Sequence, residues 1–230
     1  MATTSLYWIL FIGVSVLSYI VQATLQSRFN KYSQIPLDGG LTGRDVAERM
    51  LRENGIYDVQ VTCVQGTLTD HYDPQKKTVN LSEGVYRSNS VMAAAVAAHE
   101  CGHAVQHEVG YAPLRLRSAL VPVVSFSSKI VIWVLLGGML LINVFPQLML
   151  VGIVLFGLTT LFSLVTLPVE VDASRRALAW LQQTGITNYS NHQYAVKGLR
   201  SAAYTYFVAA LSSLATLLYY IMIFTGGSRR

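Results

Sequence analysis

His99, Glu100 and His103 stand in the pattern His-Glu-x-x-His, inside a stretch with alanine at 93, 94, 95, 97, 98 and 104. An alanine-rich stretch without proline favours a helix. On a helix, positions four apart are rotated by about 40° and displaced by about 6 Å. Both imidazoles can therefore face one metal ion. Glu100 lies beside them, placed to take a proton from a water that the metal activates. A zinc site of this kind needs neutral nitrogen ligands, a nearby base and an open coordination position. The pattern supplies the ligands and the base, and a third protein ligand has to come from elsewhere. The flanking Val96, Ala97, Ala98, Ala104 and Val105 suit a buried helix. Burying two histidines and a glutamate there without a partner is costly, which weighs against a purely structural reading of the motif.

Other side chains that bind metals are weaker candidates. His107 extends the four-residue spacing, but it lies about 12 Å along the axis from His99 and reads as a helix-flank residue. Cys101 is two positions from each histidine and points to another helix face. His71, between Asp70 and Asp73, sits in turn chemistry. Cys63 and Cys101 are the only cysteines and are expected to be free, buried thiols.

The elements that position the motif must work in an unusual composition. The 230 residues are 52% hydrophobic and 13% charged, against about 25% charged in soluble domains. The deficit is concentrated in apolar runs long enough to cross about 30 Å of hydrocarbon. These are Leu6 to Thr24, Leu120 to Asn143, Gln147 to Leu167 and Ala202 to Phe224. Only a few residues separate the middle two, which predicts a helical hairpin. The fold class expected is a mainly α membrane protein with about four transmembrane helices and a small α+β domain carrying the motif. A net charge of +5 without a dense basic stretch gives no sign of a nucleic-acid partner.

Between the runs the chain is polar. Thr42 caps a helix through about Glu53, stopped by Asn54 and Gly55. Val59 to Cys63 alternates as a strand, Gly66 to Thr69 is a possible second one, Asp70 to Lys77 reads as a turn, and Thr78 to Leu81 as a strand. A sheet edge beside the motif helix can bind an extended peptide by strand addition or can simply pack the helix. Ser88 to Ser90 offers a cap for the motif helix. Pro168 predicts the end of the third apolar helix, with separate helices over Glu170 to Gln183 and Asn191 to Arg200. Gly226 to Arg230 reads as a frayed tail. Four spans place the two polar segments on one side. Arg28, Lys31, Arg115, Arg117, Arg175, Arg176, Lys197 and Arg200 lie there, against Arg229 and Arg230 opposite. That bias predicts a cytoplasmic location for both segments.

The hairpin returns the chain to the side that carries the histidines. The segment Leu167 to Ala177 then offers Glu170 and Asp172 as third ligands, and a carboxylate with two histidines is a common catalytic zinc set. His192, Tyr189, Tyr194, Arg175 and Arg176 are candidates for stabilising an oxyanion.

The motif, the upstream Leu68-Thr-Asp-His-Tyr-Asp-Pro74 and the downstream Leu167-Pro-Val-Glu-Val-Asp-Ala-Ser-Arg-Arg-Ala177 resemble the membrane neutral zinc metallopeptidases, often labelled YugP-like. The likeness covers almost the whole chain. That family is similar in plan to the HtpX heat-shock proteases and the CAAX prenyl proteases. Those are gluzincins whose third ligand is a glutamate in Glu-x-x-x-Asp on a later helix. The resemblance implies Zn²⁺ held by His99, His103 and Glu170, with Glu100 as the catalytic base and a polypeptide, including membrane proteins, as substrate. It also implies a multi-pass protein of a bacterial plasma membrane. Ser174 stands where the relatives have aspartate, so the support of a ligand histidine is open, and Asp172 is an alternative for support or ligation.

These readings divide the chain into a transmembrane anchor (1–26), a zincin-like α+β domain (27–118), a transmembrane hairpin (119–167), a helical loop with the third ligand (168–201) and a last transmembrane helix with its tail (202–230). The function expected is zinc-dependent endoproteolysis in the membrane. The alternative is a zinc-binding membrane scaffold without turnover, motivated by Ser174. A zinc transporter would need polar ligands inside the spans, where Lys129 is the only charged residue.

Overall fold

In a computed structural model, which describes residues Ala2–Gly227, the helix-forming stretches give seven helices and the alternating ones a three-stranded sheet. They are α1 (Ala2–Tyr32), α2 (Gly43–Glu53), β1 (Gln60–Val64), β2 (His71–Asp73), β3 (Thr78–Ser82), α3 (Glu83–Tyr86), α4 (Val91–Glu108), α5 (Ala112–Leu140), α6 (Pro146–Gln183) and α7 (His192–Gly227). The end of the predicted tail, with Arg229 and Arg230, lies outside the described residues. The chain forms two units. One takes the residues up to Ile20, Arg115–Leu167 and those from Thr205, and the other takes Val21–Leu114 and Pro168–Tyr204.

The second unit is organised around α4. Ser90 caps it by accepting from the Ala93 backbone N–H at 3.2 Å. Fourteen of its 18 residues are buried, as expected for a helix enclosed on all sides. Its alanines leave room for neighbours to approach. α2 begins with a full capping box between Thr42 and Asp45 and buries Val46, Met50 and Leu51 in the same core as α4, β3 and the end of α6. The strand before α4 is the middle one: the order is β1-β3-β2, with β1 parallel and β2 antiparallel to β3.

Five expectations need correction. The second strand is His71–Asp73 rather than Gly66 to Thr69. Positive φ at Gly66 and Leu68 breaks extension there, and the Asp70 carboxylate accepts from the Ser82 backbone and hydroxyl, drawing the next residues onto β3. The turn is shorter and later: Asp73 accepts from the Gln75 and Lys76 N–H groups, and Lys77 is left-handed. Pro168 does not end a helix, because α6 runs through it. Proline removes one ladder bond, but Val169, Glu170, Asp172 and Ala173 just beyond it are all buried, and their packing holds the helical course. Likewise, no break separates the two helices expected between Asn191 and Phe224; both lie in α7. Finally, both cysteines are free, but only Cys101 is buried, and Cys63 is exposed on β1, an edge strand.

The first unit is apolar inside and out. Leu135, Met149 and Ile153 form its small core, and α5 meets α6 so closely that a Cβ on Gly138 would lie 2.6 Å from the Met149 Cα. Thr160 bridges to α7 by donating to the Ser213 carbonyl at 3.4 Å. Trp133, Leu140, Val154 and many similar side chains face outward. Such a surface is matched by lipid rather than water. Four helices, α1, α5, α6 and α7, are long and apolar enough to cross a bilayer.

One contact sets the spacing in the second unit: a Cβ on Gly102 would lie 2.7 Å from the Ala173 carbonyl oxygen. Gly102→Ala is therefore expected to push α6 off α4 and cost about 1–3 kcal/mol, read as a fall in Tm. Gly84→Ala, where a Cβ meets nothing within 4 Å, is expected to stay within about 0.5 kcal/mol of the parent. Equal Tm values for the two variants would contradict the close-contact argument.

Candidate metal centre

Helix α4 presents His99 and His103 four residues apart, their ring centroids 4.8 Å apart and edge-on. Helix α6 presents Glu170 against both. Glu170 Oε2 lies 3.2 Å from His99 Nε2 and 3.5 Å from His103 Nε2. The three side chains are 13%, 10% and 4% exposed, so the group is enclosed with a narrow opening on the histidine side. Zn–N and Zn–O bonds of about 2.0–2.1 Å put the corners of a tetrahedral site about 3.3–3.4 Å apart. The separations of 3.2 and 3.5 Å bracket that edge. Among the described residues this is the one group of three such side chains whose ligand atoms converge, all within 4.8 Å of one another.

The remaining ring nitrogens are held from behind. Ser174 Oγ lies 3.1 Å from His99 Nδ1, behind the imidazole. His103 Nδ1 lies 3.1 Å from Gln106 Oε1. The Gln106 side-chain N–H groups donate to the Val169 carbonyl at 2.8 Å and to Asp172 at 2.9 Å. Both donors are thereby used, so the amide oxygen must face the imidazole. A neutral His103 then carries its proton on Nδ1 and offers the Nε2 lone pair toward Glu170. Asp172, in turn, accepts from Arg175 and Arg176, each at 2.6 Å. Gln106 is fully buried with every polar atom satisfied, and removing it would leave groups whose burial costs about 1–3 kcal/mol.

Electrostatics favour the ligand-ready form of Glu170, and the charged form of His103 as long as that carboxylate faces it. Burial alone would raise the Glu170 pKa, but the bonds and charges of His103 and His99 hold it far below the usual carboxylate range. Glu170 is thus ionised at neutral pH, the form that binds metal. Burial alone would lower His103, and the Glu170 bond with the charges of Glu100 and Glu170 outweighs it and raises the pKa. For Asp172, Arg176, Gln106 and Arg175 overcome the cost of burial and lower the pKa. Glu100 is buried beside the group and takes no hydrogen bond from any described residue.

The other candidates lie apart from this group. Cys101 Sγ points away to the Ala47 carbonyl at 3.5 Å, and burial raises its pKa well above the usual thiol range. His107 is exposed and stacks near Tyr72. His71 is bonded to the Thr69 carbonyl and Asn80. Arg175 and Arg176 are tied to Asp172, Tyr194 packs on Tyr32, and His192 bonds to Thr187. Sequence reasoning missed Gln106. Its signal was available: an amide three residues after His103, on a helix buried all round, must find partners.

Comparison with known proteins gives a consistent setting. The family described as "Putative neutral zinc metallopeptidase" matches residues 7–225. The "Putative membrane protease YugP" of Bacillus subtilis (strain 168) is 45% identical over 222 residues, which cover 96% of this chain and 98% of that protein. No solved structure matches the chain. A match over nearly the whole length, with a His-His-Glu group whose donor chemistry suits zinc, makes this chain a membrane-associated member of the neutral zinc metallopeptidase family.

Proposed function

We propose that this protein is a multi-pass membrane zinc endopeptidase of the gluzincin type, in which His99, His103 and Glu170 hold the ion and Glu100 is the general base. The observation that carries the reading is that Glu170 Oε2 lies 3.2 and 3.5 Å from the Nε2 atoms of His99 and His103, with one ligand atom from each residue within 4.8 Å of the others, and that the Glu100 carboxylate next to them takes no hydrogen bond from any described residue. Zinc held there supplies Lewis acidity, acidifying water and polarising a carbonyl. Glu100 accepts the proton of the attacking water and returns it to the leaving amine. Ser174 and Gln106 keep both imidazoles turned toward Glu170. Burial of the group excludes bulk water and strengthens each of these interactions. The free edge of β2, a strand in contact with α4, offers backbone groups on which an extended polypeptide can be aligned.

The scaffold reading drew on Ser174 replacing an aspartate. With Ser174 Oγ at hydrogen-bond distance from His99, that support is provided and the motive for the reading falls away. The intact Glu100 argues in the same direction, since a structural site needs no base. The charge bias of the segments around Arg28, Arg175 and Lys197 supports a cytoplasmic site on a bacterial plasma membrane. Proximity to the bilayer favours membrane proteins and their flanking segments as substrates.

Glu100→Gln is expected to keep zinc and lower peptide cleavage by about 10²–10⁴-fold; cleavage at the parent rate would rule out this mechanism. Metal analysis separates ligand from support. Glu170→Ala is expected to lose zinc, whereas Asp172→Ala and Gln106→Leu bind it about 10–100-fold more weakly. Zinc retained in Glu170→Ala and lost in Asp172→Ala would reverse the assignment. A reporter fused at residue 190 is expected to report a cytoplasmic location, and an external signal would overturn the topology.

A further inference from the structure

The second unit also contains a cavity of about 780 Å³ that shares no residue with the His99–His103–Glu170 group. One wall is the face of α7 that carries Gln193, Lys197 and Arg200, which are four and three residues apart and so neighbours on the helix surface, with His192 at the start of the helix. The loop before α7 adds Asn188 and Tyr189. Among the described residues, no aspartate or glutamate lines it. Asp38, whose carboxylate accepts from the Asn188 amide, is not among the lining residues.

Among the described residues, the two cations of this wall have no acidic partner. Lys197 Nζ reaches the Gln193 side chain at 3.4 Å and the Tyr194 ring at 5.9 Å. Arg200 donates to the Tyr204 hydroxyl at 3.0 Å. By contrast, Arg44, Arg49, Lys77, Arg87, Arg175 and Arg176 each pair with a carboxylate. A third cation joins the same patch: Arg28 of α1 donates to Ser201 Oγ at 2.7 Å and to the Lys197 carbonyl at 3.3 Å. Three unneutralised cations repel one another, and an anion between them relieves the repulsion.

Their positions along the helices narrow the anion's identity. On α7, Arg200 precedes the apolar run at Ala202 by two residues, or about 3 Å, and Lys197 precedes it by about 7.5 Å. On α1, Arg28 follows the run ending at Thr24 by about 6 Å. The headgroup layer of each leaflet is about 5–8 Å deep. All three cations thus sit at the depth of lipid phosphates. We propose that this cavity binds the headgroup of an anionic phospholipid, with Lys197 and Arg200 on the phosphate and the Gln193 and Asn188 amides on an uncharged hydroxylated headgroup. A choline or ethanolamine headgroup would bring its own cation to a wall without carboxylates, so the cavity selects against zwitterionic lipids. The inference does not depend on proteolysis.

The test uses delipidated full-length protein in neutral detergent, with lipid binding followed by native mass spectrometry. Phosphatidylglycerol is expected to bind at least tenfold more tightly than phosphatidylcholine. Each cation near an anionic headgroup is worth about fivefold, so Lys197→Gln with Arg200→Gln should weaken phosphatidylglycerol about 25-fold and remove the preference. Both side chains are exposed, and an unchanged Tm and zinc content would confirm that the variant folds. Lys76→Gln with Lys77→Gln removes the same charge from cations outside the cavity and should leave the preference intact. An equal loss in that control, or equal binding of the two lipids by the parent, would overturn the proposal. So would displacement of the lipid by equimolar inorganic phosphate, which would mark a site for the free ion. The double variant also distinguishes a built site from general attraction, because raised salt weakens an unspecific contact in every variant alike.

Discussion

The contact between Gly102 of α4 and the Ala173 backbone of α6 is the constraint on which the rest of this structure depends. An imidazole nitrogen and a carboxylate oxygen can share an ion only when they come within about 3.4 Å. Both are short or medium side chains, so the two helix axes must run close together. Glycine at the crossing permits that, and alanine at 94, 95, 97, 98 and 104 permits the other neighbours of α4 to come equally near. Close packing has an energetic consequence. A tightly packed interior does not relax around an added methyl group, so the spacing of the ligand atoms is set by backbone contact and not by flexible side chains.

Bringing three polar side chains into that interior costs free energy unless every other polar atom finds a partner. The solution differs for the two imidazoles. His99 is held by a single hydroxyl from α6. His103 is held by an amide that also ties α4 to the Val169 carbonyl and to Asp172. Asp172 is neutralised by two guanidinium groups, so the negative charge beside the site is largely confined to Glu170 and Glu100. Two carboxylates only two residues apart thus have different partners. Asp172 is engaged on both oxygens, whereas Glu170 turns its Oε2 to the histidines. Pairing of this kind does more for uniqueness of geometry than for net stability, because the desolvation of a buried carboxylate offsets most of the gain from its partners.

Much of this was legible in the sequence because it depends on local spacing. The four-residue interval between His99 and His103, the caps at Thr42 and Ser90, and the four apolar runs each follow from positions close along the chain. What was not legible depends on distant contact. Pro168 read as a stop because ladder bonds are local, yet α6 continues because residues just past it are buried against α4. The strand at His71 was hidden inside turn chemistry because only the Asp70–Ser82 bonds, twelve residues apart in the chain, reveal it. Glu170 and Asp172 are equal by composition; the resemblance favours Glu170, and the pairing of Asp172 with the arginines three and four residues beyond it depends on side-chain geometry that composition does not give. Gln106 was invisible for the same reason, since its partners lie 63 and 66 residues away.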